Sequence, residues 1–306
     1  MPVTMPHELP ARAILEAENI FVMSDERAGH QDIRPMRIAI LNLMPMKVTT
    51  ETQLLRLLSN TPLQIEITLL HTASHVSRTT SAEHLDSFYS TFDDVAHQHF
   101  DGLIITGAPI EKLDFEEVDY WPEMTRILDW TRTNVQSTLH VCWGAQAALY
   151  HHYGVGKYEV PQKISGVFNH RLTGAKSPII TGFDDEFLAP HSRHTDVHAS
   201  EIEATGEVDV LAVSEEAGVF LAATADGRQI FVTGHPEYDA DTLYREYRRD
   251  SEHGLPVPVP VPAHYFPDDD PTAVPLNRWR GHGHLLYANW LNYCIYQETP
   301  FDPAED

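Results

Sequence analysis

Short apolar runs alternate with segments of helical spacing from Arg37 to His152, and this alternation constrains the fold more than any other feature of the chain. Strands separated by helices must be joined by crossovers, which gives a mostly parallel sheet with helices on its faces. Arg37–Leu43 reads as a buried strand, and Thr49–Leu58 follows as a helix with Leu54, Leu55 and Leu58 on one face. Ile65–Leu70 is the next strand. The polar and aromatic stretch Ser81–Phe100 has helix-like spacing, and Gly102–Thr106 is a third strand that ends at Gly107. Tyr120–Trp130 reads as a helix. Ser137–Val141 is a fourth strand, running straight into Cys142 and a helix over Ala145–His152.

The pattern breaks after Gly154. From 156 to 198, Gly, Pro, Ser and His occur without sustained periodicity, which predicts an insertion of loops and short strands that shapes a substrate site. Strands resume at Val208–Ser214, Val219–Thr224 and Gln229–Thr233, and an Asp226-Gly227 turn makes the last two a hairpin. Asp241–Arg249 reads as a helix. Alternating prolines in Leu255–Pro262 remove donors and exclude the α conformation before each ring, so this run is extended. With a final helix at Leu285–Tyr296, residues 255–306 form a C-terminal strap and helix. No internal repeat divides the chain, and a single domain over 1–306 is expected.

Composition narrows the class of partner. With 306 residues, 42% of them hydrophobic, the chain can bury a large core. Its 45 acidic and 21 basic residues give a net charge of −24, a field that repels polyphosphates and argues against nonspecific binding to nucleic acid or an anionic membrane. A small anionic substrate stays compatible, because the negative background is screened over about 10 Å while cations in a cleft act at contact. Two cysteines, Cys142 and Cys294, are too few for a disulfide framework or a thiolate zinc module and fit a reducing cytoplasm. Met1–Arg12 lacks the apolar centre of a secretory signal, and no window offers the roughly 18 to 20 apolar residues that span a bilayer. Nineteen histidines include His151-His152, His191, His194, His198 and His282-Gly283-His284, yet none stands in a zinc pattern with a carboxylate base, so no metal is expected.

Leu139–Gln146 is a strand, a nucleophilic side chain at Cys142, a glycine two residues later, then a helix. Such a strand-to-helix elbow lifts the side chain above the sheet edge at a helix N-terminus. There the helix dipole and free N–H groups favour a thiolate and can hold an oxyanion, with the Trp143 N–H as a candidate donor. Taken alone, Cys142 fits a small buried hydrophobe equally well. The second motif, Gly234-His235-Pro236-Glu237, follows another strand and puts His235 and Glu237 on one face, where a carboxylate can orient an imidazole that activates a thiol.

Those two motifs, together with Met1-Pro2-Val3, Leu41–Pro45 with Lys47 and Thr50-Glu51, Thr106–Pro109, Tyr120-Trp121, Lys163–Gly166 and Tyr238, resemble the homoserine O-acyltransferases of methionine biosynthesis. The resemblance covers essentially the whole chain. It implies the flavodoxin-like fold of class I glutamine amidotransferase-like proteins and a ping-pong reaction. Cys142 would take an acyl group from acyl-CoA as a thioester, His235 would serve as general base and acid, and Glu237 would orient it. Arg249 would bind the homoserine carboxylate, and Lys163 and Ser192 match substrate-binding positions. Glu111 falls where the family divides by donor; glycine leaves room for a succinyl chain, whereas glutamate fills the space and repels its carboxylate, which implies acetyl-CoA. Lys47, after the first strand, is placed to meet an anionic group of the donor. The resemblance further implies a homodimer with no bound cofactor. The alternative within the fold is a succinyltransferase; alternatives in other classes are a glutamine amidotransferase using the same Cys-His-Glu arrangement and a noncatalytic protein that retains the fold.

Overall fold

In a computed structural model, the described residues are 3–6, 8–18, 20, 22, 34–75, 80–252 and 260–299. A short strand β1 (Val3–Thr4) and helix α1 (Pro10–Ala17) precede the alternating region. That region runs β2 (Met36–Leu41), α2 (Lys47–Leu58), β3 (Ile65–His71), α3 (Ala82–Phe88), β4 (Tyr89–Thr91), α4 (Phe92–Val95) and β5 (Phe100–Ile105). It continues through α5 (Trp121–Asn134), β6 (Val135–Val141) and α6 (Trp143–Tyr153). Then come β7 (Tyr158–Leu172), β8 (Glu186–Asp196), α7 (Ala199–Ala204), β9 (Val208–Ser214), β10 (Gly218–Thr224), β11 (Gln229–Val232), α8 (Thr242–Glu252) and α9 (Arg280–Asn289).

One sheet joins the strands in the order β1-β3-β2-β5-β6-β11-β10-β9-β7-β8, with β4 also on β3. From β1 to β11 every pairing is parallel; from β11 to β8 every pairing is antiparallel. The mostly parallel sheet with flanking helices is therefore the expected one. Its central strands are apolar on both faces because helices cover both. On β2, Ile38 and Ile40 enter one core with Leu54, Leu55 and Trp290, while Ala39 and Leu41 enter the other with Trp121, Met124 and Leu128. Among the described residues no helix is long and apolar enough to cross a membrane.

Several local readings change. Residues 156–198 are not loops and short strands but a long antiparallel pair, β7 with β8, in register from Tyr158↔Asp196 to Arg171↔Glu186. The prolines that suggested loops are tolerated for positional reasons: Pro161 lies in the register shift between Glu159 and Ile164, and Pro190 is on the edge strand β8. The stretch Ser81–Phe100 divides into α3, β4 and α4 because Thr91 and Asp94 form a capping box that starts a new helix. The last helix begins earlier than expected, at Arg280, and continues as a π-helix over Trp290–Tyr296. Residues 255–259 of the proline run lie outside the described residues. Just beyond it, Ala263 pairs with Gly166, its N–H donating to Ser165 O at 2.8 Å and its carbonyl accepting from Val167 N–H at 2.9 Å.

Candidate active site

β6 ends at Val141 and α6 begins at Trp143, so Cys142 occupies the elbow with φ 51° and ψ −114°. No L side chain favours that conformation. It is held by the Cys142 N–H donating to Val232 O at 2.7 Å and the Cys142 carbonyl accepting from the N–H groups of Ala145 and Gln146. Gly144 allows α6 to approach β5, since a Cβ there would lie 2.8 Å from the carbonyl oxygens of Ile105 and Thr106. As first residue of α6, Trp143 has an N–H without an intrahelical acceptor.

The parallel register Val141↔Val232 brings the segment after β11 beside this elbow. His235 is anchored by its N–H to Pro190 O at 2.8 Å, and its imidazole lies beside the Cys142 sulfur, each 3.6 Å from where a Gly107 Cβ would be. Its Nδ1 lies 2.7 Å from Glu237 Oε1; the carboxylate can only accept, so Nδ1 donates. Burial disfavours charge on His235, but the Cys142 sulfur and the Glu237 carboxylate outweigh it and hold the imidazole well above its usual pKa of 6.5.

Gly107 was not singled out from the sequence as a site residue. A Cβ there would sit 3.1 Å from Cys142 Cβ and 3.6 Å from both Cys142 Sγ and His235 Cε1, so the missing side chain leaves a hollow over the thiol and the imidazole.

A polar cluster adjoins the triad. Tyr238 stacks on His235 with ring centroids 4.2 Å apart and planes at 15°, and its hydroxyl donates to Glu246 Oε1 at 2.9 Å. Ser192 Oγ on β8 donates to Glu246 Oε2, and Lys163 Nζ on β7 lies 3.7 Å from the same oxygen and 3.1 Å from Asp250 Oδ2. Arg249 Nε donates to Asp250 Oδ1 at 2.8 Å. Although burial works against it, Lys163 and Arg249 lower the Asp250 pKa. Thus Lys163, Ser192 and Arg249, spread over 87 positions of sequence, meet around two acids of α8. Glu246 also escaped sequence reasoning; its place three and four residues before Arg249 and Asp250 on one helix face is the signal that marks it.

Lys47 is the first residue of α2 but not a surface lysine. Burial lowers its pKa to about 8, with Glu51 opposing, and its Nζ donates to Asn42 O at 2.6 Å. It lines a cavity of about 610 Å³ with Asn42–Pro45, Ala108–Ile110 and Tyr120, next to the Gly107 hollow. Glu111 is half-buried in the loop after Ile110, where Lys157 Nζ donates to its carbonyl at 2.6 Å. Its charge reaches His194, as do those of Lys163 and Asp250. A cavity of about 700 Å³ lined by Arg56, Arg280 and His284 meets the triad only from behind, at Glu237, and contains neither Cys142 nor His235. Among the described residues, one group has metal-ligand proximity, Asp129 with His151 and His152, but it stands on α5 and α6, and Asp129 Oδ1 is 2.7 Å from His151 Nε2 in a hydrogen bond.

Solved structures similar in fold include a glutamine amidotransferase of Thermotoga maritima (TM-score 0.55, 12% identity, 86% of this chain and 100% of that one). Another is a glutamine amidotransferase of Methylobacillus flagellatus (TM-score 0.50, 12% identity, 89% and 99%). These likenesses establish the fold. Curated relatives named homoserine O-acetyltransferase are far more similar: that of Acetivibrio thermocellus is 60% identical over 100% of this chain and 99% of its own, and that of Geobacillus kaustophilus 58% over 99% and 99%. The family profile described as homoserine O-succinyltransferase matches residues 2–301. With its fold, its full length and most of its residues shared, the chain belongs to the homoserine O-succinyltransferase family of acyltransferases.

Proposed function

We propose that the protein is a homoserine O-acetyltransferase that moves the acetyl group of acetyl-CoA to the hydroxyl of L-homoserine through a thioester on Cys142. The observation that carries this reading is a buried Cys142–His235–Glu237 chain beside a cluster of paired charges, in a family of homoserine acyltransferases. The Cys142 thiolate attacks the thioester carbonyl and forms a new C–S bond. Coenzyme A leaves as its thiolate and takes a proton from the His235 imidazolium. The homoserine hydroxyl then attacks the acetyl-cysteine, its proton passes to His235, and the Cys142 thiolate departs. Glu237 fixes the tautomer and balances the imidazolium charge. The Trp143 N–H stabilises the oxyanion in the hollow over Gly107. Thioester exchange is nearly thermoneutral, so positioning, oxyanion stabilisation and exclusion of water carry the catalysis.

Homoserine is a zwitterion. Arg249 and Lys163 suit its carboxylate, Glu246 its ammonium, and Ser192 completes the polar lining. The cavity beside Lys47 suits the acyl donor, and Glu111 limits the length of the acyl chain. The names of the relatives support the acetyl donor; the family description favours a succinyl donor as the second reading. In this proposal 1–306 is one acyltransferase domain, 156–198 shapes the homoserine side, and 255–306 straps it. The enzyme works as a cytoplasmic homodimer without a bound cofactor.

Intact-protein mass spectrometry tests this. Mixing with acetyl-CoA should yield an acetyl adduct that homoserine removes and that Cys142→Ala abolishes, with no succinyl adduct from succinyl-CoA; Glu111→Gly should restore the succinyl adduct. A succinyl adduct on the wild type overturns the donor assignment, and the absence of both adducts overturns the thioester.

A further inference from the structure

Two parts of the proposed reaction occupy different elements. The triad sits at the ends of β6 and β11, while the groups assigned to homoserine lie on β7, β8 and α8. One buried side chain touches both. The Tyr238 ring lies nearly parallel to the His235 imidazole at 4.2 Å, and its hydroxyl donates at 2.9 Å to Oε1 of Glu246, the carboxylate that also accepts from Ser192. Among the described contacts of Glu246, Oε2 serves Ser192 and Lys163, and Oε1 serves Tyr238.

We propose that Tyr238 is a positioning residue with two separable functions: its ring fixes the plane of His235 for both half-reactions, and its hydroxyl fixes Glu246 for homoserine alone. The inference rests on the placement of homoserine among Lys163, Ser192, Glu246 and Arg249. Held by Tyr238 on Oε1 and Ser192 on Oε2, the carboxylate stays at 3.7 Å from Lys163 instead of closing on it, and so remains oriented for an incoming ammonium. Without the Tyr238 hydroxyl, Glu246 closes the 3.7 Å gap to Lys163, and homoserine must reopen that pair when it binds. The stack does not involve the hydroxyl and survives its loss.

The half-reactions separate these functions. Release of coenzyme A from acetyl-CoA without homoserine reports acylation, and the decay of preformed acetyl-enzyme against homoserine concentration reports the second step. Y238F, isosteric with the wild type, should acylate within about twofold of the wild-type rate yet need at least tenfold more homoserine for half-maximal decay, the effect of one lost hydrogen bond to a charged group. Y238L, which removes the planar face, should slow both steps by at least about tenfold; Y238F carries the test if Y238L does not fold. K163M is the control for the homoserine site and should also raise the homoserine requirement. A wild-type requirement in Y238F with a raised one in K163M overturns the coupling alone. A wild-type requirement in K163M overturns the location of the homoserine site and this inference with it. Equal slowing of both steps in Y238F overturns the separation of ring from hydroxyl.

Discussion

Cys142 holds a backbone conformation that costs about 1–3 kcal/mol, and the surrounding hydrogen bonds from β11 and the first turn of α6 enforce it. The consequence is a side chain aimed away from the sheet, toward His235. The facing residue is equally constrained, because at Gly107 a methyl group would press on Cys142 Cβ at 3.1 Å and contact the sulfur and the imidazole at 3.6 Å, and these nearest atoms are all side chain. Gly107→Ala should therefore leave the fold intact while filling the space an acyl carbonyl needs. We expect kcat/KM for acetyl-CoA to fall by about 100-fold or more with a denaturation midpoint close to that of the wild type, as steady-state kinetics and urea titration would show. Unchanged kinetics would place the acyl group elsewhere.

At the scale of elements, the site depends on how closely α6 lies on β5. Gly144 sets that distance through two carbonyl oxygens of β5 and the loop after it, and backbone cannot swing away as a side chain does. Alanine would gain up to about 1 kcal/mol of helix propensity at this position. Overpacking against backbone costs about 1–3 kcal/mol, so the clash prevails. Gly144→Ala is expected to lower the urea midpoint at unchanged slope and to weaken acylation as the elbow shifts. A stabilised, fully active variant would show that α6 can move without cost. The π-helical end of the last helix is a related fitting of element to sheet: Trp290 and Ile295 pack on β2 and β5, where Gly102 leaves room for both.

Across the whole molecule, buried imidazoles set the response to acid. His140, His170 and His191 are fully buried, and burial lowers the first to about 3, the second to about 4 and the third well below 6.5. Their folded pKa values are depressed, so as the pH falls below 6.5 the unfolded chain binds protons that the folded chain refuses. Stability must fall, by up to about 4 kcal/mol per pH unit for three such groups. His235 has the opposite sign: its raised pKa gives stability that is complete below 6.5 and lost only as the pH rises through the folded value, so it adds no protection in acid. Against a typical total of about 5–15 kcal/mol, unfolding is expected within about two pH units below 6.5. Urea midpoints at pH 7, 6 and 5 should decline steeply, and a flat series would mean that these imidazoles are protonated in the folded protein.

Apart from the strand β4 within 81–100, the order of strands and helices from residue 37 to 152, the hairpin at Asp226-Gly227, and the two motifs around Cys142 and His235 were determined by local sequence, because periodicity, turn chemistry and the strand-to-helix elbow act over a few residues. The long β7–β8 pair was not legible, since its prolines are acceptable only at an edge and a register shift, which are properties of the sheet. The same limit hid Glu246, Tyr238 and Gly107 as parts of the site. An acid, a tyrosine and a glycine acquire roles only when strands distant in sequence bring Ser192, Lys163 and Cys142 to them. Residue chemistry and local spacing belong to the sequence alone. Distances between elements, and the burial that shifts the imidazoles, exist only once long-range packing has replaced water around them.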